Sequence, residues 1–327
     1  MEQMKTALVL GATGGIGGEV ARAMARRGWR VLALCRNRAT APAQGGVAWI
    51  EGDAMNGAQV LAAAQGVAVI VHAVNPPGYR DWDKLVLPMI DNTIAAARAV
   101  GARILLPGTL YNYGSGTAQP LTEASLQQPS SRKGAIRVHM EERLREAARS
   151  GVRALVVRAG DFFGPRAGNN WFSQGLVTPG ADLARVTYPG APGVGHAWAY
   201  LPDLADTMVR LLEHEARLDT FESVHFRGHW DSDGTRMVDA LRRVSGNPDL
   251  KLKRLPWALL ALAAPFVAVF REMREVRYLW SEAFELDNAK LVRLLGSETH
   301  TPLEAAVRAT LLGLGCLPEG AARAQAA

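Results

Sequence analysis

A chain of 327 residues that is 48% hydrophobic and 21% charged has the composition of a folded globular protein with enough apolar material for a sizeable core, which excludes a disordered chain. Its formal net charge is +6, but the lysines and arginines are spread along the chain instead of gathered in a block, so nucleic acid is not an expected partner. Two cysteines, Cys35 and Cys316, make neither a disulfide framework nor a zinc site; no metal is expected, and the expected location is cytoplasmic.

The first predicted strand, residues 7–10, ends on Gly11 and is followed by Gly14 and Gly17, then by an amphipathic helical run over residues 19–27. Strand, tight glycine turn and helix form a cradle for a pyrophosphate: glycine supplies positive φ and close backbone approach, and the helix N-terminus supplies free N–H groups. A second strand over residues 29–34 leads to Arg36, Asn37 and Arg38. An acidic residue at that place would take the adenosine ribose hydroxyl, whereas arginine suits a 2′-phosphate, so Arg36 with Arg38 favours NADP, with NAD as the other cofactor. The alternative is two solvated loop arginines. After a third strand at residues 47–50 comes Gly52-Asp53-Ala54, where the Asp53 carboxylate can accept from an adenine amino group. The fourth strand, residues 67–72, ends in Ala73, Val74, Asn75, Pro76, Pro77 and Gly78, a loop at the carboxyl edge of the sheet where open α/β sheets bind ligands.

Long helices are predicted over residues 85–100, with Pro88 near the start, and over residues 130–149. Between and after them lie strands at residues 103–106 and 152–157, and Thr109 opens the loop after the first of these. Short buried strands alternating with helices predict an α/β protein with a doubly wound parallel Rossmann-type sheet and a smaller, mostly helical C-terminal substrate lobe. Residues 1–165 form the dinucleotide-binding domain, its sheet continued by part of 196–230; residues 166–195 and 231–327 form the lobe. A helix is expected over 203–213, and further helices over 287–295 and 302–314. Residues 255–270 are the most hydrophobic stretch, too short and too interrupted by Pro256 and Pro265 to span a membrane. Core or dimer packing is the expected role, contact with a membrane surface the alternative.

Gly-Ala-Thr-Gly-Gly-Ile-Gly at 11–17, Gly-Asp at 52–53, Asn92, Tyr113-Gly114, and Arg158 through Gly164-Pro165 occur in an order that resembles the extended short-chain dehydrogenase/reductase family, of the NAD-dependent epimerase/dehydratase type. The resemblance implies a cofactor site built from Gly11, Thr13, Gly14, Gly15, Ile16, Gly17, Arg36, Arg38, Asp53, Ala54, Ala73, Val74, Asn75, Arg137 and Asp161. It also implies a homodimer paired through the two long helices. Family members carry a Ser or Thr after the fifth strand, which falls on Thr109, and a Tyr-x-x-x-Lys on the next helix. Here that motif reads Lys133-Gly134-Ala135-Ile136-Arg137. Arginine can grip a ribose diol but cannot give up a proton. The proton donor is therefore expected to be Lys133, its pKa lowered by the like charge of Arg137 one turn away, or a phenol beside Thr109, Tyr111 or Tyr113. The function implied is an NAD(P)-dependent oxidoreductase acting on a small carbonyl, alcohol or sugar-like substrate. The alternatives are a nucleotide-sugar epimerase or dehydratase, and a dinucleotide-binding redox sensor without turnover.

Overall fold

The computed structural model describes residues 4–76, 81–168 and 170–318. Pro77 and Gly78 of the loop after the fourth strand, and the chain beyond Pro318, lie outside the described residues. The chain runs β1 (Thr6–Leu10), α1 (Gly15–Arg26), β2 (Arg30–Cys35), β3 (Val47–Glu51), α2 (Gly57–Ala63), β4 (Val69–His72), α3 (Trp82–Val100), β5 (Arg103–Gly108), α4 (Arg132–Arg149) and β6 (Ala154–Arg158). It continues through β7 (Asp161–Phe163), β8 (Arg185–Tyr188), β9 (His196–Tyr200), α5 (Leu201–Glu213) and β10 (Phe221–His225). The remaining elements are β11 (His229–Asp231), α6 (Arg236–Ser245), β12 (Lys251–Arg254), α7 (Trp257–Ala263), α8 (Ala268–Glu275), α9 (Tyr278–Ser281), α10 (Ala289–Leu295) and α11 (Leu303–Gly313).

Seven strands form one parallel sheet in the order β3-β2-β1-β4-β5-β6-β10. The central strands are apolar on both faces because both faces are covered, as a parallel sheet requires. On one face Val9, Val71 and Leu155 pack against Val20 and Met24 of α1 and Leu204 and Met208 of α5. On the other, Leu8, Ile70 and Ile104 meet Val60 of α2, Ile90 of α3, and Met140 and Leu144 of α4. The strand order reverses between β1 and β4, which both leave the sheet at its carboxyl edge and open the crevice used below.

Local chemistry sets the element ends. Ser131 accepts from Gly134 N–H to start α4, and Asn56 accepts from Gln59 N–H to start α2. Gly14 starts α1 with no capping side chain, and the first turn of that helix carries no acid. α3 begins at Trp82, three residues before the predicted start, so Pro88 sits in its second turn. α5 begins at Leu201, two residues earlier than expected, with Pro202 in its first turn.

The lobe is mostly helical, as expected, with α6, α7, α8, α9, α10 and α11 in it, and two small sheets complete it: β7, β9 and β11 form a three-stranded one, and β8 pairs with β12 in the other. These strands are short and rich in aromatics, and they gather Phe163, Tyr188, Trp198 and Tyr200 into a separate core with Phe172, Trp280 and Val307. The hydrophobic stretch 255–270 does not fill that core. It folds into α7 and the start of α8, no residue of α7 is fully buried, and Leu259, Leu262 and Phe266 stand exposed.

The turn between β1 and α1 is held by backbone contact. Gly14 N–H donates to Gly11 O at 3.0 Å, and a Cβ on Gly17 would lie 2.3 Å from Gly11 O. A Cβ on Gly14 would stand 3.3 Å from the same oxygen, a contact that tenths of an ångström relieve. Gly17→Ala is therefore expected to lose about 1–3 kcal/mol of stability in urea denaturation, and Gly14→Ala less than about 1. Equal losses would contradict this account of the turn.

Candidate functional site

The crevice at the strand-order reversal is a cleft of about 770 Å³ lined by Gly11, Thr13 and Gly14 of the glycine turn, Arg36 after β2, Asp53 and Ala54 after β3, and Ala73, Val74 and Asn75 after β4. Each predicted wall thus comes from the carboxyl end of a different strand. Asp53 Oδ1 accepts from Met55 N–H at 2.9 Å and Asn92 Nδ2 donates to Ala54 O at 2.9 Å, so both loops are tied down. Gly15, Ile16 and Gly17 do not line the cleft: Gly15 begins α1, Ile16 packs on the sheet core, and Gly17 makes room for Gly11. Arg38 also falls outside the lining, in the short turn Arg38–Thr40, where Asn37 caps the backbone and Thr40 rather than Arg38 reaches the cleft. The acid nearest the helix start, Glu19, is buried and paired with Arg22 at 2.9 Å and Arg166 at 3.0 Å, which removes its negative field from an anion at the turn.

At Asn75 and Pro76 the cleft meets a chamber of about 150 Å³. Thr109, Tyr111, Arg137, Asp161 and His196 line it, with Trp82, Trp171 and Leu279 as apolar wall. Arg137 donates from Nη2 to Asn75 Oδ1 at 3.0 Å, and its guanidinium lies 5.3 Å from the centre of the Trp82 ring. It therefore sits where cleft and chamber join, as a residue gripping a ribose would. Asp161 of β7 is placed in the chamber, its Oδ2 2.9 Å from His196 Nε2 of β9. The imidazole stacks on Trp280 with ring centres 3.7 Å apart. A carboxylate on one ring nitrogen and an indole on one ring face leave His196 little freedom to turn.

Two of the expected proton donors are elsewhere. Lys133 is buried and its Nζ lies 2.7 Å from Glu272 Oε2 of α8, on a second cavity of about 580 Å³ that shares only Asn170 and Trp171 with the chamber. Its ion-pair partner is an acid on a distant helix. Tyr113 is buried outside the chamber, with its hydroxyl 3.3 Å from His225 Nε2. His225 Nδ1 lies 3.2 Å from Leu121 O, and burial with Arg158 nearby lowers its pKa to about 3. The neutral ring then donates from Nδ1 and accepts the Tyr113 proton at Nε2. Burial in turn raises the Tyr113 pKa, so this phenol keeps its proton in the interior behind the chamber.

Behind the chamber lies a buried ion pair. Arg158 of β6 donates from Nη2 to both Glu141 oxygens at 2.8 Å and from Nη1 to Thr109 O at 2.6 Å. Asn112 and Gln127 each donate to Glu141 at 2.9 Å. The network fixes the loop that presents Thr109 and Tyr111. From the sequence, His196 follows a glycine-rich loop and could line a substrate cleft but has no assigned catalytic role, and Asp161 is expected at the cofactor. A His and an Asp 35 positions apart carry no local spacing signal; only the pairing of β7 with β9, Asp161 near Trp198, brings them together.

Residues 7–225 match the NAD dependent epimerase/dehydratase family. Among curated proteins none matches the chain in sequence. Similar solved structures include a putative epimerase from Burkholderia cenocepacia, 17% identical over 96% of this chain and 99% of that one, with a TM-score of 0.75. UDP-glucose 4-epimerase from Bifidobacterium longum, in complex with NAD+ and UDP, is 15% identical over 95% of this chain and 98% of its own, at 0.72. The Bordetella bronchiseptica enzyme WbmH, in complex with NAD+, is 18% identical over 95% and 98%, at 0.70. At these identities the likeness is one of fold.

The Arg158–Glu141 network makes a stability prediction. Glu141→Ala leaves a buried guanidinium without its counter-charge and should cost about 3–5 kcal/mol in urea denaturation. Gln127→Ala removes one bond to the same carboxylate and should cost about 1.5–3 kcal/mol. A Glu141→Ala loss no larger than that of Gln127→Ala would mean that the pair does not hold the wall.

Proposed function

The chain belongs to the NAD dependent epimerase/dehydratase family, and from that premise we propose that it is an NADP-preferring oxidoreductase that moves a hydride between the nicotinamide and a small carbonyl or alcohol, sugar-like compounds included. The observation that carries the reading is the junction at Asn75 and Pro76: a cleft with the walls of a dinucleotide site opens there into a chamber lined by Thr109, Tyr111, Arg137 and the His196–Asp161 pair. The glycine turn fits a pyrophosphate, since Gly14 lines the cleft without a side chain and begins a helix whose first turn holds no acid. Arg36 stands at the end of β2, where a 2′-phosphate would be met by a guanidinium.

A bound nicotinamide supplies or accepts the hydride. The chain's own residues then have three tasks. Arg137, held by Asn75, grips the ribose and adds a fixed positive field. Thr109 Oγ1, 3.4 Å from Asn112 Oδ1, holds the substrate oxygen. In the carbonyl-reducing direction that oxygen becomes an alkoxide and takes a proton, and the proton-bearing side chains lining the chamber in place of the family tyrosine are Tyr111 and His196. With Nε2–H donated to Asp161, the donor form of His196 is the imidazolium, which gives the alkoxide its Nδ1 proton and is left as neutral imidazole. Homodimer pairing through the outer faces of α3 and α4, joined to each other by the Arg143–Asp91 ion pair, completes the proposal.

Two measurements test it. Gly14→Val should abolish NADP binding in a folded protein, and Arg36→Asp should reverse an NADP preference worth about 1.5–3 kcal/mol; equal affinities for NADP and NAD in the parent would refute the preference. In a screen of carbonyl substrates with NADPH, loss of a proton donor lowers kcat by about 10² to 10⁴. His196→Asn or Tyr111→Phe should show that loss, and Lys133→Met should not. A parent that binds NADP but oxidises NADPH with no carbonyl is a sensor, and one that interconverts nucleotide sugars without net NADPH loss is an epimerase.

A further inference from the structure

Residues 251–277 hold apolar and basic side chains that the proposed chemistry does not use. Lys251, Lys253 and Arg254 are exposed on β12, and Arg271, Arg274 and Arg277 are exposed on α8 and just after it. Between the two basic groups Leu259 is 67% exposed, Leu262 80% and Phe266 89%. No acidic residue occurs between Asp249 and Glu272. The two acids that follow face inward: Glu272 pairs with Lys133, and Glu275 accepts from the backbone N–H of Lys133 at 3.0 Å. The outer surface of the hairpin is therefore apolar at its tip and cationic around its base.

We propose that the α7–α8 hairpin is a docking surface for an anionic lipid bilayer, with Leu259, Leu262 and Phe266 entering the boundary between headgroups and acyl chains and Lys251, Lys253, Arg271 and Arg274 facing lipid phosphates. Two observations choose this occupant. A second copy paired about a two-fold axis would set the basic collar against itself, since such an interface brings the same patch from both subunits together. A bilayer with acidic headgroups meets both halves of the surface, taking apolar side chains to a depth of about 5–10 Å and attracting each nearby lysine or arginine. Docking is confined to the surface, because no helix among the described residues is long and apolar enough to cross a membrane.

The hairpin is also tied to the interior. Leu255, Met273 and Val276 share the wall of the 580 Å³ cavity with Lys133 and Glu272. Arg277 lies over the Trp257 ring at 5.7 Å, and Trp257 Nε1 donates to Pro189 O at 2.8 Å, so the base of the hairpin is fixed while its tip is bare.

The test is co-sedimentation of the full chain with vesicles of phosphatidylglycerol and phosphatidylcholine in equal amounts, against phosphatidylcholine alone. The protein should sediment with the acidic vesicles and at least about 10-fold less with the neutral ones, and high salt should release it. Leu262→Asp with Phe266→Asp should abolish sedimentation, and Lys251→Glu with Lys253→Glu should reduce it at least about 10-fold. Circular dichroism and thermal melting of both variants should match the parent, since these side chains are exposed. Failure to bind acidic vesicles would overturn the proposal, as would equal binding by the folded variants. A dimer that Leu262→Asp with Phe266→Asp converts to monomers would overturn it in favour of a second copy.

Discussion

The chamber depends on one buried arginine. Arg158 is wholly inaccessible and ends the strand beside β5; its partner Glu141 comes from α4, and its other bond goes to the backbone of Thr109. Burial works against its charge, but the Glu141 carboxylate and the Tyr113 ring more than offset that, and its pKa is raised. Burying two ions costs several kcal/mol each, which good geometry and further hydrogen bonds must repay. Asn112 and Gln127 supply such bonds on the carboxylate side. The network fixes the separation of α4 from the loop after β5, and therefore of Arg137 from Thr109 and Tyr111.

The cleft was legible because the turn at its centre is set by backbone chemistry. A turn in which a Cβ on Gly17 would lie 2.3 Å from a carbonyl oxygen admits only glycine, and that requirement is written at fixed spacing. Strand ends are readable in the same way: Arg36, Asp53 and Asn75 each follow a short apolar run, and all three reach one cleft. The sheet itself was legible for the reason that its strands are buried on both faces, although the terminal residues shifted by one or two.

The chamber was legible only in part: Thr109, Tyr111 and Arg137 line it as expected, but the surroundings of Lys133, Tyr113 and His196 depend on contacts between distant segments. Lys133 and Arg137 share a helix face, which suggested that the arginine acts on the lysine. The structure instead gives Lys133 a carboxylate from α8 and Arg137 an amide from the β4 loop. Tyr113 follows Thr109 by four positions in sequence but turns inward to His225. The His196–Asp161 pair exists only because β7 and β9 adjoin in a small sheet that periodicity did not reveal. The hydrophobic stretch after β12 misled in a different way. Its composition suited a core, but Leu259 and Leu262 lie three residues apart on an outer helix face, and the lobe is already filled by aromatic side chains from β7, β9 and α9.

α8 connects these parts. Its two acids secure the first turn of α4, and the same helix carries the exposed hairpin and one wall of the 580 Å³ cavity beside the chamber. The central claim is that cleft and chamber together form one hydride-transfer site, and a crystal structure with NADP bound tests it most directly. The account predicts the pyrophosphate on the Gly11–Gly14 turn and the nicotinamide ring at the Asn75–Pro76 junction, with its reactive face toward Thr109, Tyr111 and His196. A nicotinamide ring turned away from the chamber, or a dinucleotide bound outside the cleft, would contradict it.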